Sequence, residues 1–248
     1  MSPASSPFTY LITGASRSLG LAYAKALLAA QPANRVVAAA RNPDSAEELQ
    51  ALKKAEPERV YLLKLDLASQ ESVDAAVKEL EGSEFLNDAA LDALVANAGV
   101  AEGDEIPASQ LTPDVLEANM STNLYGTVRV NTAFLPLLRK GQGKQLFSVS
   151  SVCGSIAQWG ESPSSRVAYA ASKAALNMYS KKLATELKSE GFTVVMFHPG
   201  YVIGPINQGK GQLTMEEAAK LALENVFQAV SPADNGRFLQ YDGEPMEW

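Results

Sequence analysis

Tyr169 and Lys173 lie four residues apart in the stretch R-V-A-Y-A-A-S-K-A-A-L-N-M-Y-S-K-K-L-A-T-E-L-K, whose pattern is typical of an amphipathic helix. Residues four apart share one face of a helix, so the phenol and the ammonium would point the same way. A phenol with a pKa of about 10 is a poor proton donor or acceptor at neutral pH, but a cation within about 4–6 Å can lower that pKa by roughly 1–3 units. The pair therefore predicts proton-transfer chemistry, unless the spacing is accidental.

Short apolar and β-branched runs that are typical of buried strands alternate with helical segments along the chain. Three helices carry start signals, namely Asp44 with Glu47, Thr112 followed by Pro113, and Thr214 with Glu217. Strand and helix in regular alternation predict an α/β fold with right-handed crossovers, a doubly wound parallel sheet flanked by helices on both faces. The predicted strands are 8–13, 35–40, 59–65, 91–96, 145–150 and 193–197.

Composition restricts the classes of function. The 248 residues include 46% hydrophobic and 20% charged residues, and the net charge of −7 argues against general binding to nucleic acid or to an anionic membrane surface. One cysteine, Cys153, excludes an internal disulfide and fits a reducing compartment, and no metal cluster is expected. Neither a secretory leader nor an apolar run of membrane-spanning length is present, so we expect a cytoplasmic protein with a single domain over residues 1–248.

Residues 13 to 20, T-G-A-S-R-S-L-G, follow the first predicted strand and open a helix. At this turn of a doubly wound sheet, backbone N–H groups and a helix N-terminus can hold a dinucleotide pyrophosphate. Gly14 would permit the tight turn, and Gly20 the close approach of helix and strand. The stretch is not a G-x-G-x-x-G match, so a plain connector remains the alternative at this point.

The turn is similar to the T-G-x-x-x-G-x-G turn of the short-chain dehydrogenase/reductase family. Other signatures follow in family order over nearly the whole chain, and the ending G-R-F-L-Q-Y-D-G-E-P-M-E-W resembles that of the C-factor and Sniffer-type carbonyl reductases and of fungal norsolorinic-acid-type ketoreductases. The resemblance implies a Rossmann domain, with residues 7–100 mainly for the cofactor and residues 101–248 for catalysis and substrate. The signatures are Asp66-Leu67, A-N-A-G at 96–99, Asn123, Ser151, Tyr169 with Lys173, and H-P-G at 198–200.

The resemblance also implies roles. Tyr169 would be the general acid in reduction and the base in oxidation, and Lys173 would lower the pKa of Tyr169 and bind a ribose hydroxyl. Ser151, rather than its neighbour Ser150, would bind the substrate oxygen. Asn123 would anchor a water molecule. The residues expected to contact the cofactor are Gly14, Ser16, Arg17, Ser18, Leu19, Gly20, Arg41, Asp66, Leu67, Asn97, Ala98, Gly99, Tyr169, Lys173, Pro199, Gly200 and Val202.

The end of the second predicted strand indicates which nicotinamide cofactor is used. An NAD enzyme would normally offer a carboxylate there, whereas this chain has Ala40 and then Arg41. A guanidinium can bind a 2′-phosphate, and Arg17 in the first turn can reach the same group. Unless both arginines only solvate loop ends, NADP(H) is the predicted cofactor.

Three features depart from the family pattern. Ser18 replaces the usual second glycine and could crowd or bind the pyrophosphate, and Gly204 replaces a threonine that commonly helps to hold the nicotinamide. The 17 residues between Ser151 and Tyr169 exceed the usual dozen, so we expect Q-W-G-E-S-P-S-S-R (158–166) to protrude near the pocket mouth. Trp159 is the candidate pocket residue there, with simple packing as the equal alternative.

Residues expected to line the substrate pocket are mostly apolar, which predicts an uncharged hydrophobic or aromatic ketone or aldehyde. His198 is expected to be structural, and no base is evident that would make Cys153 a nucleophile. The alternative functions are a non-catalytic NADP(H)-binding sensor, a serine hydrolase that uses Ser151 and Lys173, and a nucleotide sugar epimerase. The hydrolase is the weaker hypothesis because this chain has no G-x-S-x-G elbow. The possible assembly is a homodimer. The pocket set is Val100, Ala101, Cys153, Ile156, Trp159, Tyr201, Ile206 and Met215.

Overall fold

A computed structural model describes residues 7–86, 90–162 and 166–248. Its centre is a sheet of seven parallel strands in the order β3-β2-β1-β4-β5-β6-β7. The predicted doubly wound parallel sheet is therefore confirmed. The strands are β1 (Thr9–Thr13), β2 (Arg35–Ala40), β3 (Val60–Lys64), β4 (Ala93–Ala96), β5 (Gln145–Val149), β6 (Thr193–His198) and β7 (Phe238–Gln240).

Helices cover both faces of the sheet. Between the fourth and fifth of them the helix continues through a wider π-helical turn, Ser121–Gly126, and a second such turn, Leu223–Phe227, follows the eighth. The helices are α1 (Ser18–Ala30), α2 (Glu47–Ala55), α3 (Gln70–Glu81), α4 (Pro113–Met120), α5 (Thr127–Lys140), α6 (Ile156–Trp159), α7 (Val167–Leu187) and α8 (Met215–Ala222). Among the described residues, no helix is both long and apolar enough to span a bilayer.

Successive side chains of the central strands enter two different cores. Tyr10 and Ile12 of β1 pack with α1 and with the end of α8, whereas Leu11 packs with α3, α5 and α7 on the other face. Both faces are buried, which explains why the strands read as continuous apolar runs. On the first face Phe227 lies edge-on to Phe147, with ring centres 5.0 Å apart. Each such buried phenyl ring contributes about 2–3 kcal/mol to folding.

The predicted helix starts have mixed outcomes. Thr214 and Glu217 form a capping box at the start of α8, and Pro113 begins α4 after Thr112, although the Thr112 side chain makes no capping hydrogen bond. The predicted start at Asp44 is wrong, since Asp44 lies in a 3-10 turn over Pro43–Ser45 and α2 begins at Glu47. Pro43 at the first position of that turn fixes a backbone angle that both turns and helices accept, so the sequence signal was ambiguous.

Strand boundaries differ from prediction by at most two residues, and 35–40 is reproduced in full. No separate pattern predicted β7, because its three residues are too few to show an apolar periodicity. Order in the sheet reverses between β1 and β4, so their carboxyl ends open a crevice of the kind that binds ligands in α/β folds. The loops that carry the predicted site residues all leave the sheet at this edge.

Candidate active site

The first turn is held by hydrogen bonds from the end of β4. The Thr13 hydroxyl accepts from the backbone N–H groups of Asn97 and Ala98, at 3.0 and 3.1 Å. The Asn97 amide donates to the carbonyl of Thr13 at 2.9 Å and lies 3.5 Å from that of Gly14. Asn97 and Ala98 were predicted to contact the cofactor; in this structure they fix the turn's shape. Thr13 was not predicted, although it precedes Gly14 in the motif.

The N-terminus of α1 is arranged to receive an anion. Ser18 has a left-handed backbone (φ 50°), and a β-carbon on Gly20 would overlap the carbonyl oxygen of Gly14 and lie 2.6 Å from the Asn97 amide nitrogen. Arg17 makes no side-chain cap, and the first turn of the helix carries no acidic residue. Uncapped N–H groups at a helix start favour negative charge, so a dinucleotide pyrophosphate fits this turn.

Two arginines lie at the same edge as this turn. The backbone N–H of Ala15 donates to the carbonyl of Ala39 at 3.0 Å, which holds the first turn against the end of β2, where Arg41 follows. Arg17 and Arg41 are both exposed, and their guanidinium groups make no hydrogen bond or ion pair within the described ranges. Their positive charge is therefore available to a phosphate.

Asp66 and Leu67 follow β3. The Asp66 carboxylate accepts from the backbone N–H of Ala68 at 3.0 Å, so it caps its own turn. Leu67 is buried against Gly126, where a β-carbon would lie 2.8 Å from the Leu67 side chain. These contacts show how the loop is fixed beside the π-helical turn, and a cofactor role for both residues stays a prediction.

Tyr169 and Lys173 lie on one face of α7, as predicted. The Lys173 ammonium is 5.6 Å from the centre of the Tyr169 ring and donates to the carbonyl of Val149 at the end of β5, at 2.8 Å. Both side chains are buried, with 6% and 3% of their surface exposed. Burial lowers the pKa of Lys173 from 10.5 to about 8, because a buried ammonium loses its hydration.

The Ser151 hydroxyl lies close enough to the Tyr169 phenol to lower its pKa. It accepts a hydrogen bond from the backbone N–H of Cys153 at 3.2 Å. Burial, and secondarily the neighbouring Cys153, hold the pKa of Tyr169 well above its usual value, while the Ser151 hydroxyl and the charge of Arg166 act in the opposite direction. Ser150, the adjacent hydroxyl, donates instead to Asn177 at 2.6 Å, and the assignment of Ser151 rather than Ser150 to the substrate oxygen stays a prediction.

Asn123 is fully buried in the π-helical turn between α4 and α5. Its amide pairs with both backbone groups of Val100, at 2.8 and 2.9 Å, and donates to the Ser172 hydroxyl at 2.8 Å. Asn123 thereby connects the loop after β4 to α7. A β-carbon on Gly99 in that loop would lie 3.5 Å from the Lys173 ammonium nitrogen, so the loop passes beside the lysine. The water-anchoring role expected of Asn123 stays a prediction.

The segment after β6 turns sharply back along the edge of the sheet. Pro199 leads into Gly200, whose backbone is left-handed (φ 92°), and Val202 is buried and pairs with Leu213. His198, at the end of β6, is largely buried, and burial lowers its pKa to about 4, so the imidazole is neutral. Its Nδ1 atom has no partner within the ranges that the structure describes.

The expected substrate-pocket residues differ in exposure and do not all lie in one cleft. Cys153 is buried beside Ser151 and Tyr169, whereas Ile156, Tyr201 and Ile206 are exposed around the same edge. Trp159 is partly buried in the one-turn helix α6; of the segment 158–166 that was expected to protrude, residues 163–165 lie outside the described residues.

Val100 lines an open cleft of about 440 Å³ against the start of α4, and Ala101 follows it in the same loop. Met215 packs between Gly204 and α1, in a second cleft of about 370 Å³ that Ser18 also lines. The first cleft carries two carboxylates that were not predicted to belong to the site, Glu102 and Asp114.

Known proteins resemble this chain in sequence. The sequence model of the short chain dehydrogenase family matches residues 9–213. An uncharacterized oxidoreductase of Schizosaccharomyces pombe is 35% identical over 251 residues, which cover 94% of this chain and 95% of that protein.

Two solved structures are similar over almost the whole chain. The carbonyl reductase Sniffer of D. melanogaster superposes with a TM-score of 0.90 at 30% identity, covering 98% of this chain and 100% of that one. An NADPH-bound carbonyl reductase from chicken fatty liver gives a TM-score of 0.87 at 28% identity with the same coverage. The predicted resemblance to Sniffer-type proteins is confirmed, and the chain belongs to the short-chain dehydrogenase/reductase family.

Proposed function

We propose that this protein is an NADPH-dependent carbonyl reductase that reduces a hydrophobic or aromatic ketone or aldehyde. The observation that carries the proposal is the buried cluster of Ser151, Tyr169 and Lys173 beside the crevice at the carboxyl edge of the sheet. A tyrosine that serves only packing would not need a serine hydroxyl and a buried ammonium within reach of its ring.

The residues that would hold the cofactor are those of the glycine turn, the start of α1 and the end of β2. The uncapped N–H groups at the start of α1 would bind the pyrophosphate, and Arg17 and Arg41 would bind a 2′-phosphate. An NADPH-bound carbonyl reductase of similar structure supports this choice of cofactor. When bound, reduced nicotinamide supplies a hydride for the carbonyl carbon.

The chain's own groups would supply the proton and bind the carbonyl oxygen. Ser151 would donate a hydrogen bond to that oxygen, which stabilises the negative charge that develops there. Tyr169 would give its phenol proton to the same oxygen, and Lys173 would stabilise the phenolate that remains. Asn123 would keep the loop after β4 and α7 in register through its bonds to Val100 and Ser172.

The expected substrate is uncharged because apolar side chains are exposed on the loops at the carboxyl edge of the sheet. Ile156, Tyr201 and Ile206 are all exposed there, and such apolar surface is typical of ligand sites. Arg166, the charged group nearest to the Tyr169 ring, is already paired with Asp104. An uncharged carbonyl compound therefore fits this edge better than a carboxylate does.

The test is a plate in which purified protein receives NADPH or NADH with a panel of aromatic and aliphatic ketones and aldehydes, followed by absorbance at 340 nm. We expect NADPH oxidation with at least one compound. Tyr169→Phe should lower turnover by at least about 10²-fold and leave NADPH binding, measured by fluorescence, nearly intact. The matched control is Tyr61→Phe, because Tyr61 bonds to Glu79 on the exposed surface far from the site.

Two other outcomes would overturn the proposal. NADPH binding without turnover of any compound would favour the non-catalytic sensor. A failure to bind NADPH would contradict the cofactor assignment.

A further inference from the structure

Arg166, three residues before Tyr169, joins two loops at the carboxyl edge of the sheet. Its Nε donates to the Asp104 carboxylate at 2.9 Å, and Asp104 lies in the loop after β4. Its Nη1 donates to the side chain of Asn207 at 3.1 Å, and its Nη2 donates to the carbonyl of Ile206 at 2.7 Å. One side chain thus connects the 101–106 loop to the 205–207 turn that follows β6.

The backbone of Arg166 is held as firmly as its side chain. Its φ of 25° is unfavourable for a residue with a β-carbon, and such conformations persist where the surroundings over-determine them. Here the Arg166 N–H donates to the carbonyl of Asp104 at 2.8 Å, so both the backbone and the side chain of Arg166 are bonded to the same residue. Directly after it, α7 begins and carries Tyr169 one turn later.

The guanidinium also covers the catalytic ring. Its central carbon is 4.9 Å from the centre of the Tyr169 ring, and the Arg166 side chain is only 15% exposed. Other charged or titratable groups around the phenol are Asp104, which is paired with Arg166, the Cys153 thiol and the Lys173 ammonium. Arg166 favours the phenolate and Asp104 opposes it, so the two members of the pair act on Tyr169 in opposite directions.

We propose that Arg166 is a positioning residue of the reaction, which ties the 101–106 loop and the 205–207 turn together across the active site and holds a cation against the Tyr169 ring. This inference rests on the proposed reductase function. A role as an anion site for substrate is disfavoured, because Nε, Nη1 and Nη2 already have acceptors within the protein. Substitutions of Asp104 and of Arg166 should therefore shift the pKa of Tyr169 in opposite directions but loosen the two loops in the same way.

The first test uses the protein without ligand. Hydrogen–deuterium exchange is followed in peptides covering 101–106 and 203–209 for Arg166→Met, Arg166→Lys and Asp104→Asn. We expect exchange in both segments to rise several-fold in all three variants, because each variant loses bonds that join the two segments through Arg166. Lysine keeps the charge but cannot make the forked contacts of arginine. Arg139→Met and Glu190→Gln are matched controls, since that exposed ion pair lies outside the site and should leave both segments unchanged.

The second test follows alcohol oxidation with NADP⁺ as a function of pH. Oxidation needs the phenolate, so the rate rises with pH along a limb whose position follows the pKa of Tyr169 in the complex with NADP⁺. Loss of the cation in Arg166→Met should move this limb up by roughly half a pH unit or more, Asp104→Asn should move it down, and Arg166→Lys should leave it near its original position. KM should rise in all three variants.

The outcomes separate this proposal from the reductase function itself. If the unmodified protein shows no turnover, the function fails whatever Arg166 does. If it turns over and the variants shift the limb in one common direction, or leave both the limb and the exchange unchanged, Arg166 does not position the site.

Discussion

Gly204 and Met215 share the space that a side chain at position 204 would need. A β-carbon built on Gly204 would overlap the terminal methyl of Met215. The backbone of Gly204 is fully extended (φ −177°, ψ −179°), a conformation that any residue adopts, so the side chain of Met215 rather than the backbone excludes a larger residue here. The departure that the sequence shows at position 204 is thus matched by methionine at position 215.

This contact predicts that Gly204→Ala destabilises the protein by about 1 kcal/mol, the usual cost of overpacking when a flexible side chain can give way. In a Met215→Ala background the same substitution should become nearly neutral, a coupling of at least about 0.5 kcal/mol. Urea denaturation of the four proteins measures it. Gly82→Ala is the control, because a β-carbon there meets only ordinary contacts at 3.4 Å and should change stability by less than about 0.5 kcal/mol. Equal costs for Gly204→Ala in both backgrounds would contradict the assignment.

The sequence could predict the features that depend on residues close together in the chain. The four-residue spacing of Tyr169 and Lys173 fixes their common face, and the alternation of strands and helices fixes the sheet. It could not predict contacts between loops that are distant in sequence, such as Arg166 with Asp104 and Asn207, because no local pattern records them.

Thr13 shows a different limit of the sequence analysis. Its type and position are visible in the motif, but its two hydrogen bonds to the end of β4 depend on the order of strands in the sheet. The neighbouring glycines were therefore easier to interpret than the threonine that precedes them.

Replacing the strained Ser18 by glycine should stabilise the protein slightly. Its φ of 50° costs a residue with a β-carbon roughly 1–2 kcal/mol, whereas glycine adopts this angle freely. Glycine also gains entropy in the unfolded chain, worth about 0.4–1 kcal/mol, so Ser18→Gly should stabilise by about 0.5 kcal/mol and raise Tm by 1 or 2 °C. Ser16→Gly, whose backbone is not left-handed, should instead lower Tm. Scanning calorimetry compares the two, and a loss of similar size in both would show that Ser18 is not strained.

Arg41 should determine the preference for NADPH over NADH. It is exposed and unpaired within the described residues, so its substitution should cost little stability. Arg41→Ala should raise the Kd for NADPH about 10- to 100-fold, the loss of one or two charge-assisted hydrogen bonds, and change the Kd for NADH less than about threefold. Arg17→Ala should act in the same direction. Fluorescence titration measures both constants, with Arg237→Ala as the control, since that arginine pairs with Asp234 near β7. Parallel losses for both nucleotides would show that Arg41 does not recognise the 2′-phosphate.

The lowered pKa of Lys173 predicts that the free energy of unfolding depends on pH, which can be measured without any ligand. Its pKa is about 8 in the folded protein against 10.5 when unfolded. Below pH 8 both states keep the proton and the buried charge destabilises the fold in full. Between pH 8 and pH 10.5 the folded state has released the proton while the unfolded state still holds it, so this penalty decreases as pH rises.

Lys173→Met should therefore be more stable than the unmodified protein near pH 7, and its advantage should shrink by about 2–3 kcal/mol between pH 7 and pH 10. Other lysines and tyrosines titrate in both proteins and largely cancel in the difference. Urea denaturation at pH 7, 8, 9 and 10 measures the gap, and Lys220→Met is the control, because Lys220 is exposed and its substitution removes no buried charge. A gap for Lys173→Met that does not change with pH would mean that the buried amine keeps its ordinary proton affinity, and burial would then not disfavour its charged form.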